Sequence, residues 1–202
     1  MAAWLDAQPA KVVRISGLGQ ATGAKALPGE HNAQNAAAAA AMARALGVSE
    51  AAIAEGIATF PGLAHRAQEV ALREGVRFIN DSKATNADAA SRAMACHERF
   101  VWIAGGVAKA GGIDDLAPFF PRVEKAFLIG QDGEAFAAKL SQHGVANEYV
   151  GTLEAALPKA FSAAKGGAGI VLFSPAAASF DQFPNFEVRG DVFAKLAREV
   201  AA

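Results

Sequence analysis

The run Phe100-Val101-Trp102-Ile103-Ala104 is unbroken apolar sequence and ends in two glycines. Such a run is too short for a stable helix. Apolar side chains on both faces are what a strand inside a parallel sheet carries. Comparable strand readings fall at 125–130 and 169–173, and a short strand ends at Tyr149-Val150. Helical patterns fill the intervals, at 86–96, 132–142 and 152–165, and a closing helix runs over 187–200. Before them, 66–73 and 76–80 read as two strands joined by a turn at Glu74-Gly75. Strand and helix in alternation define an α/β fold, here a Rossmann-like, doubly wound and mostly parallel sheet.

Upstream, 11–16 reads as a short strand and Gly17-Leu18-Gly19-Gln20-Ala21-Thr22-Gly23 as a loop or hairpin, its third glycine one position late for a dinucleotide fingerprint. A long helix is expected over 32–46, closed by Gly47, and a second over 49–60 with Ser49 as its cap. Pro61-Gly62 then breaks the pattern. One strand and two helices are too little for a sheet, so a domain boundary is placed there. The expected division is 1–62 and 63–202, the latter an ordinary domain size.

Open α/β sheets bind ligands at the carboxyl ends of their strands. Three strand ends here carry small or polar loops. The first is Asn80-Asp81-Ser82-Lys83-Ala84-Thr85-Asn86, with a carboxylate, two hydroxyls, a positive charge and Asn86 to cap the next helix. The second is Gly105-Gly106-Val107-Ala108-Lys109, which is not a P-loop because its spacing differs and Ala110 follows the lysine. The third runs from Ser174 through Ser179 to Phe186, with Asp181 and Arg189 read as a structural pair. In a parallel sheet all three open on one edge, a pocket suited to a small, multiply charged acid or a phosphate. Asn32 and Asn35 share a helix face, where they either cap the helix or meet an anion or polar base. His65 and Arg66 stand at the domain boundary, the arginine able to clamp a phosphate.

Composition excludes other classes. The formal net charge of the 202 residues is −1, with no basic run that nucleic acid would need. Cys96 is the single cysteine, so no internal disulfide or zinc finger forms. No apolar stretch spans a bilayer, and Met1 to Pro9 lacks a signal peptide's basic start, so a soluble, cytoplasmic protein is expected. There is no Gly-Xaa-Ser-Xaa-Gly elbow, no histidine pair for a metal and no cysteine nucleophile in a loop. Any catalysis rests on positioning and charge stabilisation.

His31-Asn32-Ala33-Gln34-Asn35, Gly62-Leu63-Ala64-His65-Arg66, Asn80 to Asn86, Gly105-Gly106 with Lys109, and Ser174-Pro175-Ala176-Ala177-Ala178-Ser179-Phe180-Asp181-Gln182-Phe183 occur in the order found in Mur ligases. From Leu27 onward the chain resembles the carboxyl-terminal part of that family. The resemblance implies an ATP-dependent ligase using Mg2+, which joins D-glutamate to UDP-N-acetylmuramoyl-L-alanine through an acyl phosphate in peptidoglycan biosynthesis. It implies nucleotide contacts at Asn32, Asn35, Arg66 and Asp81, with the aspartate near the ribose. Thr85 and Lys109 would hold the α-carboxylate of D-glutamate, and Ser179 and Phe186 its side-chain carboxylate. Lys83, a further electrostatic contact near that acid, and His65 are the candidate catalytic residues. The diaminopimelate-type Asp-Asn-Pro-Arg motif is absent, which favours glutamate.

The family's phosphate loop, magnesium ligands, carbamylated lysine and uridine-binding domain have no counterpart here, so no metal site is expected in this chain. Residues 1–62 resemble the tail of the central ATPase domain, and 63–202 the amino-acid-binding domain. The expectation is a monomeric fragment, inactive or nearly so alone, with neither nucleic acid nor membrane as partner. The alternative is a non-catalytic acid- or nucleotide-binding module acting with a separate chain. An NAD-binding oxidoreductase domain fits the fold but lacks the glycine fingerprint, and a folylpolyglutamate-type relative stays open.

Overall fold

The computed structural model describes residues 26–200. The strand expected at 11–16 and the glycine loop at 17–23 lie outside the described residues. The chain divides into two units, Met1–Pro61 and Gly62–Ala202.

The first unit contributes α1 (Glu30–Ala45) and α2 (Glu50–Thr59). Ser49 caps α2 as expected, accepting from the Ala52 N–H at 3.3 Å. The cap of α1 corrects the capping reading of Asn32. Gly29, at φ 89°, occupies that position, and its carbonyl receives the N–H groups of Asn32 and Ala33. Asn32 lies inside the first turn and donates from Nδ2 back to the Pro28 carbonyl at 2.7 Å. Small residues give these helices little to bury: Ala40 and Ile53 are their buried residues, while Met42, Leu46, Val48 and Phe60 are exposed.

The second unit is a six-stranded sheet. Its elements in chain order are β1 (Gln68–Arg73), β2 (Val76–Asn80), α3 (Ala87–Ala95), β3 (Phe100–Gly105), a 3₁₀ helix (Asp114–Arg122), β4 (Val123–Ile129), α4 (Gly133–Gln142), β5 (Asn147–Gly151), α5 (Leu153–Ala164), β6 (Ile170–Phe173) and α6 (Phe186–Val200). The spatial order is β1-β2-β6-β3-β4-β5. All pairs are parallel except the β1–β2 hairpin, which turns through Glu74 (φ 47°) and Gly75 (φ 78°). Two consecutive left-handed residues are what a tight hairpin needs to follow strand twist.

Strand alternation feeds two cores, one on each face. Phe100, Trp102 and Ala104 pack with Ala90 and Met94 of α3, Leu116 and Phe120 of the 3₁₀ helix, and Phe136 and Leu140 of α4. Val101 and Ile103 point the other way, to Leu153 and Leu157 of α5 and Phe193 of α6. β3 is buried along its whole length, as its unbroken apolar run requires. The helices carry caps written in the sequence: Asn86 accepts from the Ala89 N–H at 2.9 Å, and Thr152 from the Ala155 N–H at 3.3 Å.

The topology positions the site. β6 lies between β2 and β3. Chains leaving β2 and β3 go to the face of α3 and the 3₁₀ helix, while the chain leaving β6 goes to the face of α6. Crevices therefore open on both sides of β6 at its carboxyl end, the place where doubly wound sheets take ligands.

Candidate functional site

The three polar loops expected to share an edge follow β2, β6 and β3, which are neighbours in the sheet. Backbone bonds knit them together. Val107 and Ala178 exchange two hydrogen bonds, at 2.9 and 2.8 Å, and the Gly105 N–H donates to the Pro175 carbonyl at 2.9 Å. Gly106 permits the approach: it sits at φ 129°, and a Cβ there would lie 2.2 Å from the Ala178 carbonyl oxygen.

Asp81 closes the β2 end. Its Oδ2 accepts from the Ser174 hydroxyl at 2.8 Å, and its Oδ1 from the Ala67 N–H at 3.1 Å. Burial pushes its pKa up to about 6, while Ser174, Ala67 and the Arg66 charge pull it down. Ala67 (φ 45°) and His65 (φ 60°) hold left-handed conformations that cost non-glycine residues roughly 1–2 kcal/mol each. Contacts such as the Asp81–Ala67 bond keep this turn in place.

His65 is 8% exposed. Asn80 Nδ2 donates to its Nδ1 at 3.2 Å and to the Gly190 carbonyl at 2.9 Å. With Nδ1 accepting, the neutral ring carries its proton on Nε2, which lies 3.6 Å from Asp191 Oδ1. The imidazole thus joins β2 to α6, edge-on to Phe186. Gly190 leaves the space it needs, since a Cβ there would fall 2.2 Å from Nδ1.

Arg189 corrects another expectation. It makes no ion pair with Asp181, whose Oδ2 instead accepts the Gln131 N–H at 2.8 Å. Arg189 is 1% exposed, and its guanidinium spans two loops. Nε donates to Ser82 Oγ at 3.1 Å, Nη2 to the Ser82 carbonyl at 2.8 Å, and Nη1 to the Ala177 carbonyl at 3.0 Å. The Ser82 hydroxyl passes the chain on to the Phe186 carbonyl at 2.8 Å. Charge complementarity suggested Asp181 from sequence. The actual partners are carbonyls and a hydroxyl, which leave no sequence signal.

Several predicted site residues keep their polar groups unspent. The Lys83 ammonium lies 3.8 Å over the Phe186 ring. Lys109 is exposed and Thr85 half-buried, and neither side chain bonds to the described residues. Ser179 is 2% exposed, and its backbone carbonyl accepts from Gln182 and Phe183 while its hydroxyl has no partner among the described residues. At the start of α6, Asn185 Oδ1 takes the Val188 N–H at 2.8 Å, and the N–H groups of Phe186 and Glu187 have no acceptor among the described residues. Arg66 is exposed at the same unit's opening turn.

In the first unit, Asn32 and Asn35 line one end of an apolar groove of about 410 Å³ between α1 and α2, floored by alanines and by Ile53, Gly56 and Ile57. Asn35 is exposed and Asn32 half-buried. Among the described residues no group of three His, Cys, Asp or Glu side chains is placed to hold a metal ion, so the Mg2+ implied by the resemblance finds no ligand set there. Nor is any described helix long and apolar enough to cross a membrane.

A mostly parallel sheet whose three neighbouring loops carry lysines and hydroxyls without partners among the described residues is an α/β domain, and comparison with known proteins names its kind. Residues 65–177 match the family described as "Mur ligase, glutamate ligase domain". The chain belongs to the Mur ligase family. It is 54% identical over 191 residues to the UDP-N-acetylmuramoylalanine–D-glutamate ligase of Caulobacter vibrioides, covering 93% of this chain and 40% of that protein. It is 56% identical over 174 residues to the ligase of the same name from Rhizobium etli, covering 85% and 37%. The chain thus spans about 40% of the length of these relatives. Among solved structures, UDP-N-acetylmuramate–alanine ligase MurC from Thermotoga maritima aligns with a TM-score of 0.63 at 19% identity, over 85% of this chain and 39% of that one. MurF from Acinetobacter baumannii aligns at 0.57 and 22%, over 83% and 38%. At such identities these two speak for the fold.

Proposed function

We propose that this chain is the amino-acid-binding part of an ATP-dependent ligase that adds D-glutamate to UDP-N-acetylmuramoyl-L-alanine in peptidoglycan biosynthesis. The observation that carries the reading is the set of unspent donors at the carboxyl edge of the sheet, in a chain more than half identical to ligases of that name. A dicarboxylic amino acid presents two anions. Lys109 and Thr85 serve the α-carboxylate. Ser179 Oγ and the α6 start at Phe186 serve the side-chain carboxylate, because free N–H groups at a helix start favour an anion. Lys83, held over Phe186, is the electrostatic contact beside the acid and the catalytic candidate that touches it. His65, buried and bonded through Nδ1 to Asn80, acts by fixing the opening turn.

The same reading gives residues 1–62 as the tail of the central ATP-binding domain and 63–202 as the amino-acid domain. Asn32, Asn35, Arg66 and Asp81 are its nucleotide contacts, the last toward the ribose. ATP supplies the phosphoryl group that activates the acceptor carboxylate. Positive groups stabilise the charge that develops when the D-glutamate amine attacks. The exposed Met42, Leu46, Val48 and Phe60 favour this over a self-sufficient binding module, because a finished module would cover such a face. The chain is then a cytoplasmic, monomeric portion of the ligase.

The test is a titration of the ¹⁵N-labelled 202-residue chain with D-glutamate, with L-glutamate as control. Saturable amide shifts confined to 83–86, 106–109 and 178–187, preferring the D enantiomer and weakened by Lys109→Ala, are expected. Equal response to both enantiomers, or none, refutes the assignment of the acid. Supplied with ATP, Mg2+, the UDP-linked acceptor and D-glutamate, this chain alone releases no phosphate on this reading.

A further inference from the structure

Arg189 is among the most buried side chains of the second unit, yet nothing in the sequence or the expected site accounts for it. It sits one turn into α6 and lies 5.8 Å over the Phe173 ring at the end of β6. Burial of a guanidinium normally requires a carboxylate partner. Here three of its donors go to the Ser82 carbonyl, the Ser82 hydroxyl and the Ala177 carbonyl. Asp181 acts on it only through space. Burial lowers its pKa to about 10, so the group stays charged at neutral pH. The loops it ties are the ones that carry Lys83 and Ser179, and through Ser82 it also holds the Phe186 carbonyl.

We propose that Arg189 is the positioning residue of the acid site: it fixes the spacing of the loops after β2 and β6 and supplies a positive charge beneath them that is bonded to no carboxylate. The inference rests on the reading of that edge as a dicarboxylic-acid site. Two consequences separate it from a passive pin. The planar fork is needed for the geometry, because one lysine ammonium cannot reach three acceptors on two loops in the same plane. The charge is needed for the ligand, because an anion is bound in the field of a cation that no carboxylate pairs with directly.

The experiment uses the full 202-residue chain with Arg189→Lys and Arg189→Gln. Amide hydrogen exchange is read at Ser82, Ala84 and Phe183, whose N–H groups are bonded within the two loops, and at Trp102 and Leu128 as internal controls. Both variants are expected to speed exchange at the loop amides about tenfold while the controls hold. Unchanged loop exchange overturns the proposal, whatever happens with ligand. D-glutamate and D-glutamine, which has a single carboxylate, are then titrated. Arg189→Gln is expected to weaken D-glutamate about tenfold and D-glutamine much less, with Arg189→Lys between wild type and Gln for D-glutamate. If wild type binds D-glutamate and Arg189→Gln binds it equally well, Arg189 is overturned while the acid site stands. If wild type binds neither, the acid-site reading falls and with it the role of Arg189 toward a ligand. If both variants fail to fold, Ser82→Ala removes the hydroxyl between Nε and the Phe186 carbonyl. Loop exchange unchanged in that variant also counts against the proposal.

Discussion

Replacing Asp81 by Asn tests the electrostatics of the β2 end in one step. The carboxyl is buried, bonded to Ser174 Oγ and the Ala67 N–H, and raised from its ordinary 3.8 to about 6. A raised folded-state value means that the folded protein holds the proton more tightly than the unfolded chain. Protonation therefore stabilises the fold. The contribution is fully present below about pH 4 and is lost as pH rises toward 6. One pH unit of displacement corresponds to about 1.4 kcal/mol, so the loss comes to about 3 kcal/mol. Asn keeps the shape, can still accept one of the two bonds, and does not titrate. Urea denaturation of wild type and Asp81→Asn, followed by Trp102 fluorescence in a Trp4→Phe background, isolates the effect because all other titrations cancel in the difference. The stability of Asp81→Asn relative to wild type should rise by about 3 kcal/mol from pH 4 to pH 7 and level off above. A difference that stays constant with pH, or falls, would mean that Ser174, Ala67 and Arg66 stabilise the carboxylate more than burial opposes it.

Other substitutions probe single contacts. Gly190→Ala would ordinarily stabilise a helix interior by up to about 1 kcal/mol. Here its Cβ meets the His65 ring at 2.2 Å, so a net loss of about 1–3 kcal/mol is expected in denaturant midpoints, and a gain would show that His65 can move freely. Asn86→Ala removes the cap of α3 and should cost about 1 kcal/mol, seen as faster exchange in residues 87–90 without change in β4. Lys109→Ala, at an exposed position with no partner among the described residues, should leave the thermal midpoint within a degree or two of wild type while weakening D-glutamate; a clear drop in midpoint would make Lys109 a structural residue.

The sheet was legible because β3 and its neighbours carry apolar residues on both faces, a pattern that only covered strands need. Caps at Ser49, Asn86 and Thr152 were equally direct, being short-range chemistry between adjacent residues. The 3₁₀ helix at Asp114–Arg122 was not, since Pro118 and Pro121 interrupt any 3.6-residue period and its apolar Leu116 and Phe120 are too few to set one. Asn32 misled because Asn is a good cap, but Pro28-Gly29 had already turned the chain. Within the site, the loops and their unspent side chains were visible from strand ends. The supports were not. Asp81 meeting Ser174, and Arg189 meeting Ser82, are contacts across about half the chain, and the partners are backbone or hydroxyl groups that occur everywhere.

The position of β6 bears on how such a chain is made. It is the last described strand in sequence but lies inside the sheet, between β2 and β3. Those two do not touch each other through backbone bonds; each pairs with β6. During synthesis the hairpin of β1 and β2 and the β3–β4–β5 group must wait as separate pieces with open, hydrogen-bonding edges until residues 170–173 emerge. Long-range parallel pairing is slow, and waiting edges invite wrong partners. A ribosome stalled before residue 170 would therefore display two unfinished half-sheets, a ready substrate for chaperones, and completion of the edge that carries the three loops would coincide with closure of the sheet itself.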